Sequence, residues 1–442
     1  MEQITKPHCG ARLDRLPDCR WHSSMFAIVA FGLLVCWSNA VGGLILAQLK
    51  ALGWTDNSTT ATFSAITTAG MFLGALVGGI IGDKTGRRNA FILYEAIHIA
   101  SMVVGAFSPN MDFLIACRFV MGVGLGALLV TLFAGFTEYM PGRNRGTWSS
   151  RVSFIGNWSY PLCSLIAMGL TPLISAEWNW RVQLLIPAIL SLIATALAWR
   201  YFPESPRWLE SRGRYQEAEK VMRSIEEGVI RQTGKPLPPV VIADDGKAPQ
   251  AVPYSALLTG VLLKRVILGS CVLIAMNVVQ YTLINWLPTI FMTQGINLKD
   301  SIVLNTMSMF GAPFGIFIAM LVMDKIPRKT MGVGLLILIA VLGYIYSLQT
   351  SMLLITLIGF FLITFVYMYV CYASAVYVPE IWPTEAKLRG SGLANAVGRI
   401  SGIAAPYAVA VLLSSYGVTG VFILLGAVSI VVAIAIATIG IE

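Results

Sequence analysis

Gly79-Ile-Ile-Gly-Asp83-Lys84-Thr-Gly86-Arg87-Arg88 is a short charged turn that stands between two long apolar runs. A weaker copy, Met320-Leu-Val-Met-Asp324-Lys325-Ile-Pro327-Arg328-Lys329, follows 241 residues later (324 minus 83). Each turn comes after the second apolar segment of its part of the chain. A pattern that recurs at this distance predicts an internal duplication, with two halves of similar design.

The composition is that of a membrane protein. Hydrophobic residues make up 56% of the 442 residues and charged residues only 12%, which is more apolar than a water-soluble domain. A helix needs about 20 apolar residues to cross the hydrocarbon core. The sequence predicts twelve such spans, at 24–50, 60–82, 90–108, 112–139, 147–175, 182–202, 264–292, 300–323, 331–349, 352–378, 390–414 and 418–440. The predicted fold class is an all-α membrane protein with twelve transmembrane helices in two pseudo-symmetric six-helix halves.

Four parts follow from these spans: an N-terminal segment (1–23), a first half (24–202), a linker (203–263) and a second half (264–442). Within the linker, the apolar residues between Arg214 and Arg231 recur on one helical stripe, which predicts an amphipathic helix. The prolines that follow Gly234 are typical of an extended connection.

Basic residues fall in every second loop, for example at Lys84, Arg143 and Lys325, while the alternate loops hold little beyond Arg181 and Lys299. Lys and Arg in short loops stay on the cytoplasmic side of a membrane, so both termini are predicted to be cytoplasmic. The net charge of +9 is then explained by topology. Nucleic acid is not an expected partner, because its binding would need these residues on one soluble face; the lipid bilayer is.

The sequence shows no sign of catalytic or metal chemistry. Its seven cysteines have no paired spacing, so neither a disulfide framework nor a zinc site is predicted. A Walker-type loop and a nucleophile–base arrangement are also missing from the sequence. The chain is therefore predicted not to be an enzyme and to need no cofactor, with a proton gradient as its expected energy source.

Four motifs resemble those of the major facilitator superfamily, in the branch that holds sugar porters, organic anion and cation transporters and synaptic vesicle glycoproteins. They are the turn at Asp83, Glu138-x6-Arg145, Pro203-Glu204-Ser205-Pro206-Arg207-Trp208-Leu209 and Pro379-Glu380-Ile381-Trp382-Pro383-Thr384. The motifs occur in order across essentially the whole chain, and the chain is similar to bacterial inner-membrane metabolite transporters of the nicotinate-carrier type. The resemblance implies a monomeric carrier of the bacterial inner membrane.

The resemblance also implies that the charged motifs form a cytoplasmic gate, which holds one half against the other in the outward-open state. Carboxylates and forked guanidinium groups make pairs that are strong yet reversible. For any single residue the alternative is a charge that only sets topology. The predicted gate residues are Asp83, Arg87, Arg88, Glu138, Arg145, Glu204, Arg207, Asp324, Arg328, Glu380 and Arg389.

Arg399 is the first candidate for substrate binding, because a charge deep in a membrane helix is costly and marks a functional site. In the organic anion transporters that the chain resembles, an arginine in the matching context meets the substrate's negative charge. Arg118, in the predicted fourth helix, is a second buried cation and a second candidate. The alternative for Arg399 is a structural arginine that binds carbonyl groups at a helix break near Gly402.

The usual proton switch of this family is absent. In proton-coupled sugar porters, the arginine at the place of Arg118 pairs with an aspartate of helix 1, where this chain has Ser38. Glu95 and His98 are the predicted proton-coupling residues, because positions i and i+3 share a helix face and histidine titrates near physiological pH. The alternative is that Glu95 pairs with a cytoplasmic arginine and His98 is packed and neutral.

The seventh predicted helix indicates what kind of substrate fits. Hexose carriers have paired glutamines where this chain has Ala275-Met276, so a polyol would find few partners. Aromatic faces with polar handles suit a small flat carboxylate, although such residues can equally form an interfacial belt or core. The further substrate-binding candidates are Asn39, Trp37, Tyr281, Trp286, Tyr367, Tyr372, Asn157 and Asn395.

Together these patterns predict a secondary active transporter that moves a small organic anion, aromatic or another carboxylate, by alternating access with proton coupling. A sugar or polyol porter is one alternative, and it predicts indifference to the charge at position 399. A facilitative carrier without proton coupling is another. A membrane sensor with this fold is the third, and it predicts binding without flux.

Overall fold

The computed structural model describes residues 7–17, 19–141, 145–240, 253–383 and 386–440. These ranges are almost entirely helical, and no β-strand occurs in them. The prediction of an all-α fold is confirmed.

The first half holds six spans, of which the first and the fifth are each made of two shorter helices. Side chains cap two of the long helices: Asp56 accepts from the Thr59 N–H at 2.7 Å, and Asn110 accepts from the Phe113 N–H at 2.9 Å, which satisfies backbone donors that a helix start leaves free. The helix bounds are α1 Cys9–Asp14, α2 Arg20–Val35, α3 Gly42–Ala51, α4 Asn57–Thr85, α5 Arg87–Ala106, α6 Met111–Tyr139, α7 Arg145–Asn157, α8 Ser159–Leu170 and α9 Ala176–Tyr201.

The linker contributes three helices and the second half the remainder. The tenth span ends in a π-helical turn, Tyr372–Tyr377. The helix bounds are α10 Pro206–Ser211, α11 Tyr215–Thr233, α12 Tyr254–Leu257, α13 Gly260–Thr293, α14 Leu298–Met309, α15 Gly311–Val322, α16 Arg328–Ser347, α17 Met352–Cys371, α18 Val378–Glu380 and α19 Lys387–Ile439.

Nine helices in the described ranges are long and apolar enough to cross a membrane. The twelve predicted spans outnumber these nine because two spans are each divided into two shorter helices and two others are joined in one helix. The first is α2 and α3 with residues 36–41 non-helical between them, and the fifth is α7 and α8. The eleventh and twelfth are merged in α19, which turns at Gly417 with φ 66°, a conformation that glycine adopts without steric cost.

The two halves repeat their packing as well as their charges. Gly74 of α4 lies so close to α6 that a Cβ atom there would be 2.0 Å from the Val123 carbonyl oxygen. Gly315 of α15, again 241 residues later (315 minus 74), lies against α17 in the same way, with 2.3 Å to the Thr364 carbonyl oxygen. Small residues of this kind let membrane helices approach closely. The duplication predicted from the charged turn therefore extends to the second and fourth helices of each half.

The linker joins the halves on one side of the bundle, called here the linker side, and the opposite side is the far side. On the far side the halves touch each other. A Cβ at Gly43 of α3 would lie 2.4 Å from the Ile284 carbonyl oxygen of α13, and the Asn57 amide donates to Ser414 Oγ at 2.9 Å. These contacts close the gap between the halves on the far side. The open space between the halves lies closer to the middle of the bundle.

On the linker side, α1 packs with α10 and α11 beneath the first half. The Arg12 guanidinium donates to both carboxylate oxygens of Glu226, at 3.0 and 2.6 Å, and Arg15 donates to Glu226 at 2.6 Å. The indole N–H of Trp208 in α10 donates to the Asp83 carbonyl oxygen at 2.7 Å. The N-terminal segment, the linker and the first charged turn are thus one hydrogen-bonded unit.

Candidate functional site

A cavity of about 320 Å³ lies between the two halves, which is within the range for a small-molecule site, roughly 300–1,000 Å³. Eight helices and the non-helical stretch 36–41 contribute residues to its wall. Its polar lining residues are Asn39, Ser153, Asn157, Ser159, Tyr160, Gln280, Tyr281 and Arg399.

The non-helical stretch 36–41 is the largest single part of this wall. Cys36, Trp37, Asn39 and Ala40 all line the cavity. A break in a membrane helix exposes backbone polar groups, which is how discontinuous helices build the sites of many carriers. The break therefore places both side chains and backbone at the cavity.

Arg399 reaches the cavity from the second half. It lies 12 residues into α19 (399 minus 387), which is about 18 Å at 1.5 Å per residue and so near the middle of a core about 30 Å thick. Its Nη1 atom is buried and has no hydrogen-bond partner among the described residues. A buried guanidinium nitrogen without a partner is costly, and an anion in the cavity would satisfy it.

Five of the ten predicted substrate-binding residues line the cavity: Arg399, Asn39, Trp37, Tyr281 and Asn157. Asn157 is held in place because its side-chain amide donates to the Ser153 carbonyl oxygen at 2.7 Å. Trp37 is only 4% exposed, so its ring is held in place by neighbouring side chains at the cavity wall.

Arg118 is not among the lining residues. Its Nη1 donates to the Ser38 carbonyl oxygen at 2.7 Å, its Nε donates to Thr67 Oγ1 at 3.2 Å, and its guanidinium lies 4.6 Å from the centre of the Phe63 ring. Arg118 thus lies behind the break in helix 1, where it donates to the backbone of the break and to a hydroxyl group of α4. Its predicted contact with substrate stays a prediction.

Four other candidates also lie away from the cavity lining. Trp286 is fully buried, and Tyr367 packs its ring against Tyr160 at 5.3 Å. Tyr372 stacks on Tyr377 at 5.0 Å. Asn395 is exposed and donates to the carbonyl oxygen of Ser391 at 2.9 Å. The aromatic residues among them are buried in packing contacts in this structure, and their predicted contact with substrate stays a prediction.

Sequence reasoning missed four polar lining residues: Ser153, Ser159, Tyr160 and Gln280. Ser153, Asn157 and Tyr160 are spaced by four and three residues, so they form one polar stripe along the fifth span. This spacing is visible in the sequence and could have identified Ser153 and Tyr160 as lining residues. Gln280 directly precedes Tyr281, and it gives the seventh span a carboxamide at the cavity despite Ala275 and Met276.

Glu95 and His98 do come together, and Ser38 joins them. His98 Nε2 lies 2.7 Å from Ser38 Oγ, and His98 Nδ1 lies 3.4 Å from Glu95 Oε2. Both side chains of the pair are 0% exposed. The alternative partner for Glu95, an arginine at the membrane surface, is not what the structure shows.

The gate residues of the first half form a cluster. Arg87 pairs with Asp83 at 2.6 Å and with Glu138 at 2.9 Å. Glu204 accepts from the backbone N–H groups of Arg87 at 2.7 Å and Arg88 at 3.2 Å. This cluster ties the turn after α4 to the ends of α6 and α9.

The second half repeats the arrangement, since Arg328 pairs with Asp324 at 3.1 Å and with Glu380 at 2.9 Å. The pairs of Arg87 and Arg328 thus each stay within one half. In this conformation, with the halves in contact on the far side, neither arginine bridges the two halves, because each turn lies over the helix ends of its own half. The gate that these charges are expected to form in the outward-open state stays a prediction.

The remaining gate candidates have separate surroundings. Arg88 donates to the Trp199 carbonyl oxygen at 2.5 Å, and Arg207 pairs with Asp14 of α1 at 3.0 Å. Arg389 also takes part in an interaction. The side chain of Arg145 lies outside the described part of the chain. No group of three or more His, Cys, Asp or Glu side chains that could hold a metal occurs in the described ranges.

Comparison with known proteins agrees with this architecture. The chain is 44% identical to the inner membrane metabolite transport protein YdjE of Escherichia coli (strain K12), over 100% of this chain and 97% of that protein. It is 25% identical to the niacin transporter NiaP of Acinetobacter baylyi, over 98% and 97%. The inward open xylose transporter XylE from E. coli has the same fold, with a TM-score of 0.75 at 16% identity over 95% and 97% of the two chains. Residues 26–406 match the model of the Major Facilitator Superfamily, and the chain belongs to that superfamily of multi-pass membrane transporters.

Proposed function

We propose that this protein is a secondary active transporter for a small organic anion, which it moves through the cavity between the halves by alternating access driven by a proton gradient. The observation that carries the proposal is the buried, unpartnered Nη1 of Arg399 at the cavity wall. Aromatic and other flat carboxylates are the substrate class that fits best.

The charge of the cavity favours an anion. Arg399 is a lining residue, and no Asp or Glu occurs among the described lining residues. A carboxylate about 4 Å from a guanidinium gains roughly 4 kcal/mol at an effective dielectric constant of about 20. This attraction is large enough to select an anion over a neutral molecule of the same shape.

The shape and lining of the cavity favour a flat molecule. Trp37, Tyr160 and Tyr281 present aromatic rings, while Asn39 and Gln280 offer hydrogen bonds at the edges. An aromatic carboxylate would use both kinds of contact. The niacin transporter among the relatives supports this class.

A sugar porter is the second candidate, and one observation favours it. Gln280, Asn39 and Asn157 place three carboxamides on the cavity wall, and carboxamides bind hydroxyl groups well. This function would leave the charge of Arg399 without a use. The two functions therefore differ in their response to the loss of that charge.

The proposed setting is the bacterial inner membrane, with the protein acting as a monomer. The basic turns at Arg87 and Arg328 lie on the linker side with the N-terminal segment, so the positive-inside rule makes that side cytoplasmic. The inner-membrane relative supports this location.

The test is uptake by proteoliposomes of radiolabelled nicotinate, 4-hydroxybenzoate, a hexonate and xylose, with and without an inward proton gradient. We expect gradient-stimulated nicotinate or hydroxybenzoate uptake that falls at least about tenfold in Arg399→Ala, equivalent to about 1.4 kcal/mol, and recovers in part in Arg399→Lys. Arg231→Ala, which removes an arginine that is 81% exposed in the linker, is the matched control. Xylose uptake that survives Arg399→Ala, without carboxylate uptake, would overturn the proposal in favour of the sugar porter.

A further inference from the structure

The break in helix 1 has two faces, and only one of them belongs to the cavity. Trp37 and Asn39 line the cavity, whereas Ser38 between them is 1% exposed and is not a lining residue. Ser38 is directed to the opposite side, towards α5 and α6. Ser38 therefore contacts a buried polar region inside the first half, while its two neighbours in the break line the cavity.

Two buried groups hold Ser38 there. Its hydroxyl lies 2.7 Å from His98 Nε2, and its carbonyl oxygen accepts from Arg118 Nη1 at 2.7 Å. His98 in turn lies 3.4 Å from Glu95 Oε2, and the other carboxylate oxygen of Glu95 is buried without a partner among the described residues. The result is a continuous polar chain from Glu95 through His98 and Ser38 to Arg118.

We propose that Glu95 and His98 form the proton-binding site of this carrier, and that Ser38 transmits their protonation state to the cavity through the break at 36–41. This inference rests on the proposed function for the identity of the cargo. The usual aspartate of helix 1 is replaced here by Ser38, which does not titrate. The proposal therefore assigns proton binding to Glu95 and His98 of the third helix.

The surroundings of His98 contain few other ionisable groups. From helix 1 it faces Cys36, whose Sγ lies 3.9 Å from His98 Nδ1, and from α6 the charged group is Arg118, which reaches it through Ser38. Gly124 of α6 contacts the His98 backbone, since a Cβ there would be 3.0 Å from the His98 nitrogen. In α4 and α9, which also pack on α5, titratable residues occur only towards the helix ends: Asp83, Lys84, Glu177, Arg181, Arg200 and Tyr201.

The hydrogen bonds explain how the binding of one proton at His98 can change the break in helix 1, which lines the cavity. With neutral His98, Nδ1–H donates to the Glu95 carboxylate and Nε2 accepts from the Ser38 hydroxyl. When a proton binds, the pair changes from a net charge of −1 to 0, and protonated Nε2 becomes a donor. Ser38 must then turn its hydroxyl from donor to acceptor. The proton leaves by the same exchange on the other side of the membrane, so no other bond forms or breaks.

The position of the pair also explains the need for the proton. Glu95 and His98 lie 8 and 11 residues into α5, about 12 and 16 Å along it at 1.5 Å per residue, so they sit at mid-depth. An uncompensated carboxylate at this depth is expensive. One proton neutralises the pair while one monoanion occupies the cavity, and the loaded carrier then gains no net charge.

The experiment compares two kinds of transport in proteoliposomes, with nicotinate as the probe. Counterflow exchanges labelled for unlabelled nicotinate and needs no proton gradient, whereas accumulation does. In His98→Gln, whose amide keeps a hydrogen bond to Ser38 but binds no proton, we expect counterflow within about twofold of wild type and loss of gradient stimulation. Ser101→Ala, one turn away, is the matched control, since it removes a hydroxyl that donates to the His98 carbonyl oxygen. Full gradient stimulation in His98→Gln would overturn the inference.

A second measurement needs no substrate, so it separates this inference from the proposed function. Mass spectrometry follows the rate at which N-ethylmaleimide labels Cys36 in His98→Gln and in wild type over a range of pH. The quantity compared is the ratio of the two rates at each pH. We expect this ratio to change with pH, because the imidazole at position 98 of the wild type can bind a proton and the carboxamide of the variant cannot. A ratio that is constant with pH would overturn the inference even if nicotinate is carried, and a changing ratio would support it even if nicotinate is not.

Discussion

The guanidinium of Arg87 lies 2.9 Å from the carboxylate of Glu138, and this ion pair joins the turn after the second span to the end of the fourth. Both side chains are mostly buried, at 17% and 20% exposed. The equivalent pair of the second half has the same length, but its carboxylate is 49% exposed. The two copies of one motif therefore differ in how much water screens them.

We expect Arg87→Ala to destabilise the protein by about 2–3 kcal/mol, because it leaves the largely buried carboxylate of Glu138 without its charged partner, although the Ser205 hydroxyl still donates to it. The equivalent change Arg328→Ala should cost about 1 kcal/mol or less, since a solvated pair contributes little. Thermal unfolding of the two variants in the same detergent gives the comparison. A larger loss for Arg328→Ala would contradict this assignment.

Gly74→Ala should strongly reduce the yield of folded protein, because its Cβ would lie 2.0 Å from the Val123 carbonyl oxygen and would push α4 from α6. Gly79→Ala is the matched control in the same helix, since nothing lies within 4 Å of its Cβ. We expect that control to be neutral or slightly stabilising, by up to about 1 kcal/mol from helix propensity. Size-exclusion profiles and melting temperatures of both variants decide the question.

Trp208→Phe removes the indole N–H that donates to the Asp83 carbonyl oxygen at 2.7 Å while it keeps most of the ring's packing. We expect a loss of about 0.5–1.5 kcal/mol, and faster hydrogen exchange in the turn at residues 83–88. Trp199→Phe, at a ring that is 65% exposed, should change neither measurement. Unchanged exchange in the turn of Trp208→Phe would show that the indole hydrogen bond does not hold it, since Arg212 of the linker still donates to the same carbonyl oxygen.

The docking of α1 should weaken in acid. Burial raises the pKa of Glu226 and the hydrogen bonds from Arg12 and Arg15 lower it, with a net result below the ordinary value. A carboxylate with a lowered pKa stabilises the folded state above its ordinary value of about 4.3, and this contribution is lost as the pH falls through the folded value.

Hydrogen exchange in residues 9–14, corrected for intrinsic rates, should therefore be slow at pH 7 and accelerate below about pH 4.3. Glu226→Gln should exchange faster at pH 7 and show less dependence on pH. A wild-type protein whose α1 stays equally protected at pH 3.5 would contradict the prediction.

The charged turns, the duplication and Arg399 could be read from the sequence because each involves a charge or a glycine in an otherwise apolar context. The aromatic candidates could not be sorted in the same way. Tyr281 lines the cavity while Tyr367 and Tyr372 pack in the core, yet all three lie in helices that are apolar on most sides. Periodicity tells a buried face from a solvated one, but it does not tell lipid, core and cavity apart.

The pairing of the gate charges and the break in helix 1 were also beyond the sequence. Loop composition places Arg87 near several carboxylates without saying which half supplies them. Residues 24–50 read as one apolar run, and only Ser38-Asn39 and the adjacent Gly42-Gly43 hinted at the break. The contact that stabilises the break, from Arg118 to the Ser38 carbonyl oxygen, joins residues that are 80 positions apart and exists only in three dimensions.

The turn at Gly417 has a consequence for how the carrier meets its membrane. The eleventh span, which holds Arg399, passes into the twelfth with no loop to absorb movement, and the twelfth presents Val431 and Ile434 outwards at 64% and 57% exposure. A tilt of the segment around Arg399 is therefore expected to tilt the twelfth span as well, which faces lipid. Bilayer thickness, which affects the preferred tilt of such a helix, is therefore expected to influence the position of the segment around Arg399 from outside the protein.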